Sequence, residues 1–339
     1  MEIIRGLHNI RPRHRGCVAT IGTFDGVHHG HQMLLAHLKA KSEELGEPSL
    51  LITFEPQPRE YFYAPTGTRP DGGGAVSGGS GRPPPARLTR FREKVDALGA
   101  TGIDRVLCIP FNERTRLIPA REVVERFLVE MLGVKYLVVG DDFRFGQNRE
   151  GDYALLKALG DELGFGVSHM GTLTFDNERV SSTRIRTALG EGDFALAEKL
   201  LGRPYCMMGR VVYGHQLGRT IGVPTANIRL QRYRAALDGI FAVTVDGLGE
   251  PLAGAASLGV RPTVHESAEP LLEVHILDFD RSIYGRLLTV TFHRRIREER
   301  KYPSLETMKA QIERDIADTR DWFARHPVLA EPVPRREPS

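Results

Sequence analysis

The sequence contains little cysteine, with three residues, Cys17, Cys108 and Cys206, among 339. Their odd number, wide spacing and apolar surroundings do not fit a disulfide framework. We therefore expect reduced thiols packed in a core, in a protein of the cytoplasm. The N-terminal residues also lack the apolar segment and cleavage site of a secretory signal, which argues against export.

Long hydrophobic runs and an excess of one charge are absent as well. No apolar stretch approaches the roughly 20 residues that a membrane-spanning helix needs, so no membrane partner is expected. The 46 basic residues are interspersed with 43 acidic ones, which leaves a net charge of +3. Without a sustained basic block, nucleic acid is not indicated as a partner. The length exceeds that of a usual single domain, so two domains are expected.

The first part of the chain alternates β-rich apolar runs with helical patterns, which is typical of a parallel sheet covered by helices. The predicted strands span 17–21, 50–54, 105–110 and 136–139. The predicted helices span 31–41, 121–131, 155–163, 182–189 and 194–201. A glycine and a proline at 202–204 mark the expected end of this domain, which gives it the limits 1–202.

Beyond residue 202 the pattern changes to strands without helices between them. These strands are predicted over 205–212, 240–245, 253–258, 272–277 and 287–292. Antiparallel strands closing into a small barrel fit best, and apolar residues at helical spacing predict one further helix over 304–323. The second domain is expected to span 203–326, followed by a flexible tail over 327–339.

Residues 65–86 differ from both domains because glycine and proline crowd into about twenty positions. We expect a disordered surface insertion there. A phosphate-binding loop is disfavoured, since the segment lacks the lysine of a P-loop and has no clear flanking strand and helix.

A glycine-rich segment from Gly22 to His31 follows a predicted strand and opens a predicted helix. Backbone N–H groups at a helix start suit a bound phosphate, and Gly26 and Gly30 allow close approach. His28 and His31 could donate hydrogen bonds to a triphosphate and stabilise charge during nucleotidyl transfer. One alternative is a turn with surface histidines. The other is a zinc site, which is disfavoured because no Glu or Cys neighbours the histidine pair to complete a ligand pattern.

A second glycine-rich segment, 209–227, ends in Pro-Thr-Ala-Asn. In an extended segment Thr225 and Asn227 face the same way, and their oxygens suit Mg²⁺. The alternative is a barrel turn with an Asx hydrogen bond. Glu273 lies on an apolar strand, where it either faces solvent or accepts the proton of an alcohol during phosphoryl transfer. The alternation of side chains along the strand leaves both interpretations of Glu273 open, because the polar His275 and the apolar Leu277 lie on the same face as Glu273.

Together these motifs resemble the prokaryotic-type bifunctional riboflavin kinase/FAD synthetase family, whose first module is an FMN adenylyltransferase. The adenylyltransferase resemblance rests on Gly22-x-Phe-Asp-Gly-x-His-x-Gly-His31 and on the stretches 53–58, 139–146 and 180–186. The kinase resemblance rests on Pro224-Thr-Ala-Asn227 and on the stretches 259–263, 272–279, 284–285 and 297–302. Apart from the Gly/Pro insertion, the two resemblances together cover about residues 14 to 325.

The resemblance implies an α/β Rossmann-like nucleotidyltransferase domain followed by a small six-stranded antiparallel β-barrel with a C-terminal helix. It implies that riboflavin and ATP give FMN, and that FMN and ATP give FAD and pyrophosphate, with Mg²⁺ in both reactions. It implies that Glu273 activates the ribityl hydroxyl, that Thr225 and Asn227 hold Mg²⁺, and that Asp142 and Arg297 contact flavin. The implied ATP- and phosphate-binding residues are Gly22, Phe24, Asp25, Gly26, His28, Gly30, His31, Ser181, Ser182, Thr183, Arg186, Gly218, Thr225 and Asn227.

Two positions depart from the family pattern: Gln57 stands where histidine is usual, and Asp142 where asparagine is usual. A glutamine amide can still donate a hydrogen bond but cannot become cationic. A carboxylate about 4 Å from a phosphate charge would repel it by roughly 4 kcal/mol at an effective dielectric of 20, unless magnesium lies between them. Three alternatives therefore stay open: a riboflavin kinase with an impaired adenylyltransferase domain, a nucleotidyltransferase for another phosphorylated substrate, and a flavin-binding regulator.

Overall fold

The computed structural model describes residues 1–63, 84–214, 222–260 and 270–328. Its contacts divide the chain into a first unit, Met1–Pro85 with Lys94–Ser181, and a second unit, Ala86–Glu93 with Ser182–Ser339. All but the last three residues of the predicted insertion over 65–86 lie outside the described residues, as do Gly218 and the tail from 329. The domain limits at 202 and 326 stay predictions.

The first unit contains a parallel sheet. Its strands are β1 (Glu2–Arg5), β2 (Cys17–Ile21), β3 (Ser49–Glu55), β4 (Arg105–Pro110), β5 (Val134–Gly140) and β6 (Gly166–Met170). In the part of the chain that is described they form one sheet in the order β1-β4-β3-β2-β5-β6, and every pairing is parallel. This confirms the predicted α/β Rossmann-like architecture. Sequence patterns missed β1 and β6.

Helices connect these strands. Those before Ser182 are α1 (His29–Leu45), α2 (Pro58–Tyr63), α3 (Phe91–Gly99), α4 (Glu113–Arg116), α5 (Ala120–Glu122), which continues as a π-helix over Val123–Met131, and α6 (Tyr153–Leu163). Three short 3-10 helices span Leu7–Asn9, Pro12–His14 and Gln147–Arg149, and a two-stranded ribbon pairs β7 (Thr174–Phe175) with β8 (Glu178–Arg179). The sequence patterns did not predict α2, α3 or α4.

Both faces of the parallel sheet are buried, which explains the continuous apolar runs of its strands. Adjacent residues of one strand belong to different apolar clusters, as Leu51 and Ile52 on β3 show. The cluster of Leu51 also contains Leu35 and Leu38 from α1. Full burial of one such leucine contributes roughly 2 kcal/mol, so α1 is held firmly against the sheet.

The second unit contains a closed antiparallel barrel. Its strands are β9 (Cys206–Val212), β10 (Ala226–Arg229), β11 (Gly239–Asp246), β12 (Leu252–Val260), β13 (Pro270–Ile276) and β14 (Leu287–Arg297). Across the described ranges they close in the order β10-β13-β12-β11-β14-β9. Two register irregularities between β11 and β14 bend the long strand. The predicted six-stranded barrel is confirmed, although β10 was not identified as a strand from the sequence.

Within the described part of the second unit, three helices accompany the barrel strands. They are α7 (Ser182–Glu191), α8 (Phe194–Leu201) and the C-terminal helix α9 (Leu305–Arg325). Helix α9 begins after Ser304, whose side chain accepts a hydrogen bond from the Thr307 N–H as an N-cap. The predicted C-terminal helix is thereby confirmed.

The three cysteines are free thiols, and Cys17 and Cys108 are buried, as predicted. Burial raises the pKa of Cys17 and of Cys206 to about 12, so these thiols stay protonated near neutral pH. Of the helices that the structure describes, none is both long and apolar enough to cross a bilayer.

Candidate active sites

The loop between β2 and α1 carries the first candidate site. Its Gly22 N–H donates to the Ile52 carbonyl on β3 at 3.0 Å, which ties the loop to the sheet. Gly26, Phe24 and Val27 all have left-handed backbones, with φ of 87°, 47° and 44°. A non-glycine residue in this region costs on the order of 1–2 kcal/mol. Phe24 and Val27 are buried, and this packing holds the loop in its strained conformation.

His28 and His31 lie together at the start of α1, as the motif predicted. His28 caps the helix, and its Nδ1 accepts a hydrogen bond from the His31 N–H at 3.3 Å. A neutral His28 ring therefore carries its proton on Nε2, where it can donate to a ligand. The two rings stack with centroids 3.6 Å apart. A Cβ at Gly30 would lie 3.2 Å from His28, so glycine leaves room for the ring.

His31 has an unsatisfied ring nitrogen. Its Nδ1 is buried and has no hydrogen-bond partner among the described residues. Burial holds the pKa of His31 well below its usual value, and electrostatic interactions with the His28 ring and with the Lys94 and Arg179 cations lower it further. The ring is therefore neutral near pH 7. A bound polyphosphate would supply both the missing acceptor and a compensating negative charge.

The two departures from the family pattern have specific surroundings. The Gln57 amide nitrogen is buried and finds no hydrogen-bond acceptor in the described part of the chain, so it is a donor ready for a ligand. The exposed Asp142 carboxylate lies 3.1 Å from the Arg179 guanidinium. This cation offsets the repulsion that an isolated carboxylate would exert on a phosphate.

An aromatic cluster that no sequence pattern predicted follows β3. Phe111 lies at its centre, with ring centroids 5.9 Å from Phe54, 5.4 Å from Tyr61 and 5.9 Å from Phe62, all edge to face. The Phe62 side chain is exposed, although it is large and apolar. The run Tyr-Phe-Tyr at 61–63, three residues after Pro58, was the signal that could have indicated a surface for a planar ligand.

The serine-rich motif divides between the two units. Ser181 ends the first unit, whereas Ser182 begins α7 and lies with Thr183 and Arg186 in the second. Within that unit the Arg186 Nε donates to the carbonyl of Ala86 at 2.5 Å. The phosphate-binding role of these four residues stays a prediction.

The second candidate site lies on two paired strands of the barrel. Asn227 on β10 lies directly opposite Glu273 on β13. Side chains at opposite positions share one face of a sheet, with Cβ atoms roughly 4.5–5.5 Å apart. Asn227 is buried, and its Oδ1 has no hydrogen-bond partner within the described ranges. An unused amide oxygen beside a carboxylate is chemically suited to a hard cation such as Mg²⁺.

Two neighbours hold this pair in place. A Cβ at Gly214 would lie 2.4 Å from the Asn227 carboxamide, so only glycine leaves room for that side chain. The ring of His275 donates from Nδ1 to the carbonyl of Pro224 at 2.8 Å, which fastens the loop before β10 to β13. Thr225 follows in this loop and is exposed. The sequence showed His275 only as a residue on the face of Glu273.

Arg297 is engaged in an ion pair. Its guanidinium donates two hydrogen bonds, of 2.8 and 2.6 Å, to the buried carboxylate of Asp315 on α9. The carboxylate holds the pKa of Arg297 above its usual value. This bidentate pair fastens α9 to the end of β14. Flavin binding by Arg297 and by Asp142 stays a prediction.

Among the described residues, neither site has the clustered side-chain ligands that are typical of a metal centre. Over the described ranges, no group of three or more His, Cys, Asp or Glu side chains is arranged to hold a metal ion. A magnesium ion at the barrel site would instead use Asn227, Thr225 and the substrate's own phosphates.

Comparisons with known proteins cover both units. Residues 10–184 match the family model of FAD synthetase, and residues 201–323 match that of riboflavin kinase. A bifunctional riboflavin kinase/FMN adenylyltransferase of Pseudomonas fluorescens is 49% identical over 320 residues, which cover 94% of this chain and 97% of the relative. The protein of that name from Escherichia coli K12 is 45% identical over 325 residues, covering 95% and 98%.

One solved structure is similar over nearly the whole chain. It comes from Streptococcus pneumoniae, is described as a macrolide-efflux protein, and has a TM-score of 0.74 at 27% identity. The similarity covers 95% of this chain and 100% of that one. The fold is therefore shared, whereas the family is established by the two models and the more similar curated relatives.

Proposed function

The chain belongs to the family of bifunctional riboflavin kinase/FMN adenylyltransferases, and from this premise we propose how its two sites divide the work. The protein phosphorylates riboflavin with ATP to give FMN, and it adenylylates FMN with ATP to give FAD and pyrophosphate. The first reaction belongs to the barrel site and the second to the loop between β2 and α1.

The barrel site carries the kinase reaction through the pairing of Asn227 with Glu273, which is the observation that supports the proposal most. The Glu273 carboxylate orients the 5′-hydroxyl of riboflavin and accepts its proton as the oxygen attacks the γ-phosphorus of ATP, and the bond from that phosphorus to the leaving ADP breaks. Asn227 and Thr225 hold Mg²⁺, which supplies charge compensation for the transferred group. Gly218, which lies outside the described residues, is a further candidate for ATP binding.

The loop between β2 and α1 carries adenylyl transfer. A phosphate oxygen of FMN attacks the α-phosphorus of ATP, and the bond to pyrophosphate breaks. Charge develops on the α-phosphoryl oxygens, and His28 Nε2, His31 and Gln57 donate hydrogen bonds to these and to the leaving group. The loop from Gly22 to Gly30, including Phe24, Asp25 and Gly26, shapes the phosphate site. By the family resemblance, the further candidate phosphate-binding residues are Ser181, Ser182, Thr183 and Arg186.

Flavin has separate contacts for the two reactions. For adenylyl transfer, the exposed Phe62 and its neighbour Phe111 offer aromatic edges to the isoalloxazine ring, and Asp142 contacts the same flavin. For the kinase reaction, Arg297 is the candidate contact. We place the enzyme in the cytoplasm, because three free thiols suit a reducing compartment.

Site-specific variants test this division. Purified protein with riboflavin, ATP and Mg²⁺ is expected to accumulate FMN and FAD. Glu273→Ala should lower FMN formation about 10²–10⁴-fold yet leave conversion of supplied FMN to FAD intact, since a general base is lost at one site alone. His28→Ala combined with His31→Ala should do the reverse.

The controls separate site loss from unfolding. Glu313→Ala removes an exposed carboxylate on α9 and should leave both activities unchanged. Circular dichroism and thermal unfolding show whether each variant is folded. A folded variant that loses both activities would contradict the division of sites, and wild-type protein that forms FMN alone would support a kinase with a silent first site.

A further inference from the structure

Lys94 is a buried lysine that contacts the loop between β2 and α1 from the side of the protein core. It lies on α3, and its side chain is fully buried within the first unit. Its ammonium group donates to the carbonyl of Thr23 at 2.6 Å and to the hydroxyl of Thr53 at 3.3 Å. The Thr53 hydroxyl in turn donates to the same Thr23 carbonyl at 3.4 Å. One backbone oxygen of the loop is therefore held by two donors from the core.

Thr23 lies at the point where the loop turns toward His31, so hydrogen bonds to its carbonyl affect the position of that ring's neighbours. Thr23 precedes Phe24, whose backbone is left-handed and whose ring lies 4.9 Å from the His31 ring. A Cβ at Gly22, on the other side of Thr23, would lie 2.9 Å from the Phe24 ring. The hydrogen bond from Lys94 thus fixes the backbone at the point where the loop turns toward the histidines.

The charge of Lys94 also reaches His31. The groups that face the His31 ring are the His28 imidazole at the start of α1, the Lys94 ammonium on α3 and the Arg179 guanidinium on β8, and all three disfavour the imidazolium form of His31. Burying an ammonium group in a core costs several kcal/mol, whereas a methionine of similar length would carry no such cost. A buried cation at this place therefore points to a role beyond packing.

We propose that Lys94 is a positioning residue for adenylyl transfer: its ammonium group holds the Thr23–Phe24 turn in the conformation that places the Phe24 ring beside His31. This inference rests on the proposed role of His28 and His31 in that reaction. Lys94 acts on the loop backbone and on the histidine, and the reacting phosphates are contacted by other groups.

The test uses the full-length enzyme with Lys94→Met, and with Lys157→Met as the matched control on the exposed surface of α6. We expect Lys94→Met to lower kcat for FAD formation at least about tenfold, because a misplaced loop misaligns the reacting groups. Riboflavin phosphorylation by the same preparation should be unchanged. In protein with labelled histidine, the His31 resonance, identified with His31→Gln, should titrate at higher pH in Lys94→Met than in wild type.

A purely structural lysine would not shift the His31 titration while thermal unfolding stayed normal. A folded Lys94→Met enzyme with wild-type FAD formation and an unchanged His31 titration would overturn the proposal. Should Lys94→Met not fold, the more conservative Lys94→Gln decides, because its amide is one bond shorter than the ammonium group that contacts Thr23 and carries no charge. A loss of FAD formation of about threefold or more would support the proposal, and activity within about twofold of wild type would overturn it.

The outcome also separates this inference from the function on which it rests. If His28→Ala with His31→Ala retained FAD synthesis, the site assignment itself would fail, whatever Lys94→Met did. If the histidine variant were inactive and Lys94→Met fully active, only the positioning role would fail.

Discussion

The two units form a phosphate-handling site in different ways. In the first unit, the site is an irregular loop whose shape depends on backbone torsions at Phe24, Gly26 and Val27. In the second unit, the site lies on a regular ladder, where the register of β10 against β13 brings Asn227 and Glu273 together. The loop needs support from the core beneath it, whereas the ladder is ordered by its own hydrogen bonds.

This difference predicts where each site is vulnerable. A loop site fails when its local geometry relaxes, even if the sheet beneath is intact. A ladder site fails when a side chain intrudes on the paired residues or when the barrel itself loosens. Each of the variants below should therefore disturb one unit and leave the chemistry of the other in place.

The largest effect is expected from Arg297→Met in the barrel. It would leave the Asp315 carboxylate buried without its partner, which costs roughly 3–5 kcal/mol of stability. Urea unfolding followed by tryptophan fluorescence would report this loss, because the sole tryptophan, Trp322, lies on α9. FAD formation from supplied FMN should persist under conditions in which the first unit stays folded.

The double variant Arg297→Met with Asp315→Leu sharpens the result, since replacing both charges by apolar groups should restore most of the stability. If Arg297 contacts flavin, the KM for riboflavin stays raised in this stable double variant. A normal KM would limit Arg297 to fastening α9. The matched control is Arg320→Met, which removes an exposed ion pair worth at most about 1 kcal/mol.

A smaller effect is expected from Gly214→Ala, which tests the ladder site directly. The new methyl group would meet the Asn227 carboxamide at 2.4 Å and displace it. A misplacement of about 1 Å can cost on the order of 10² in rate, so kinase kcat should fall by about that factor. Gly190→Ala on α7, where the nearest atom is 3.8 Å away, is the control and should stay active. Full kinase activity in Gly214→Ala would remove Asn227 from the proposed site.

The smallest effect concerns pH, and both units share it. Burial lowers the pKa of His31 in the first unit and of His293 in the second. The unfolded chain binds a proton at each of these positions below about pH 6.5, whereas the folded chain does not until a lower pH. Stability is therefore fully present above this value and falls as pH drops through it.

The expected slope is at most about 1.4 kcal/mol per pH unit for each histidine. Urea unfolding between pH 7 and 5 would measure it, with His31→Gln removing the contribution in the first unit and His293→Gln that in the second. The pKa of the Asp104 carboxyl is lowered in the folded protein. Its contribution to stability is lost only below the pKa of this group in the unfolded chain, which lies at a more acidic pH than the histidine range. An unchanged slope in both variants would contradict neutral buried histidines.

The elements that sequence patterns predicted well are those in which one physical signal dominates. Strand β2 was predicted at Cys17–Ile21 and helix α8 at Phe194–Leu201, and both have these limits in the structure. Each is a buried apolar run or an amphipathic stretch that ends in a clear breaker. The strands β1 and β10, by contrast, are four residues long, too short for periodicity to distinguish from a loop.

The sequence by itself determined the motifs, the family they resemble and the order of a parallel-sheet unit before a barrel, because these depend on residue identity and hydrophobic period. Tertiary structure alone decided that Asn227 faces Glu273, that Arg297 pairs with Asp315 and that Lys94 reaches Thr23. Those contacts join residues that are 18 to 71 positions apart. They follow from strand register and helix packing, which no local pattern in the chain specifies.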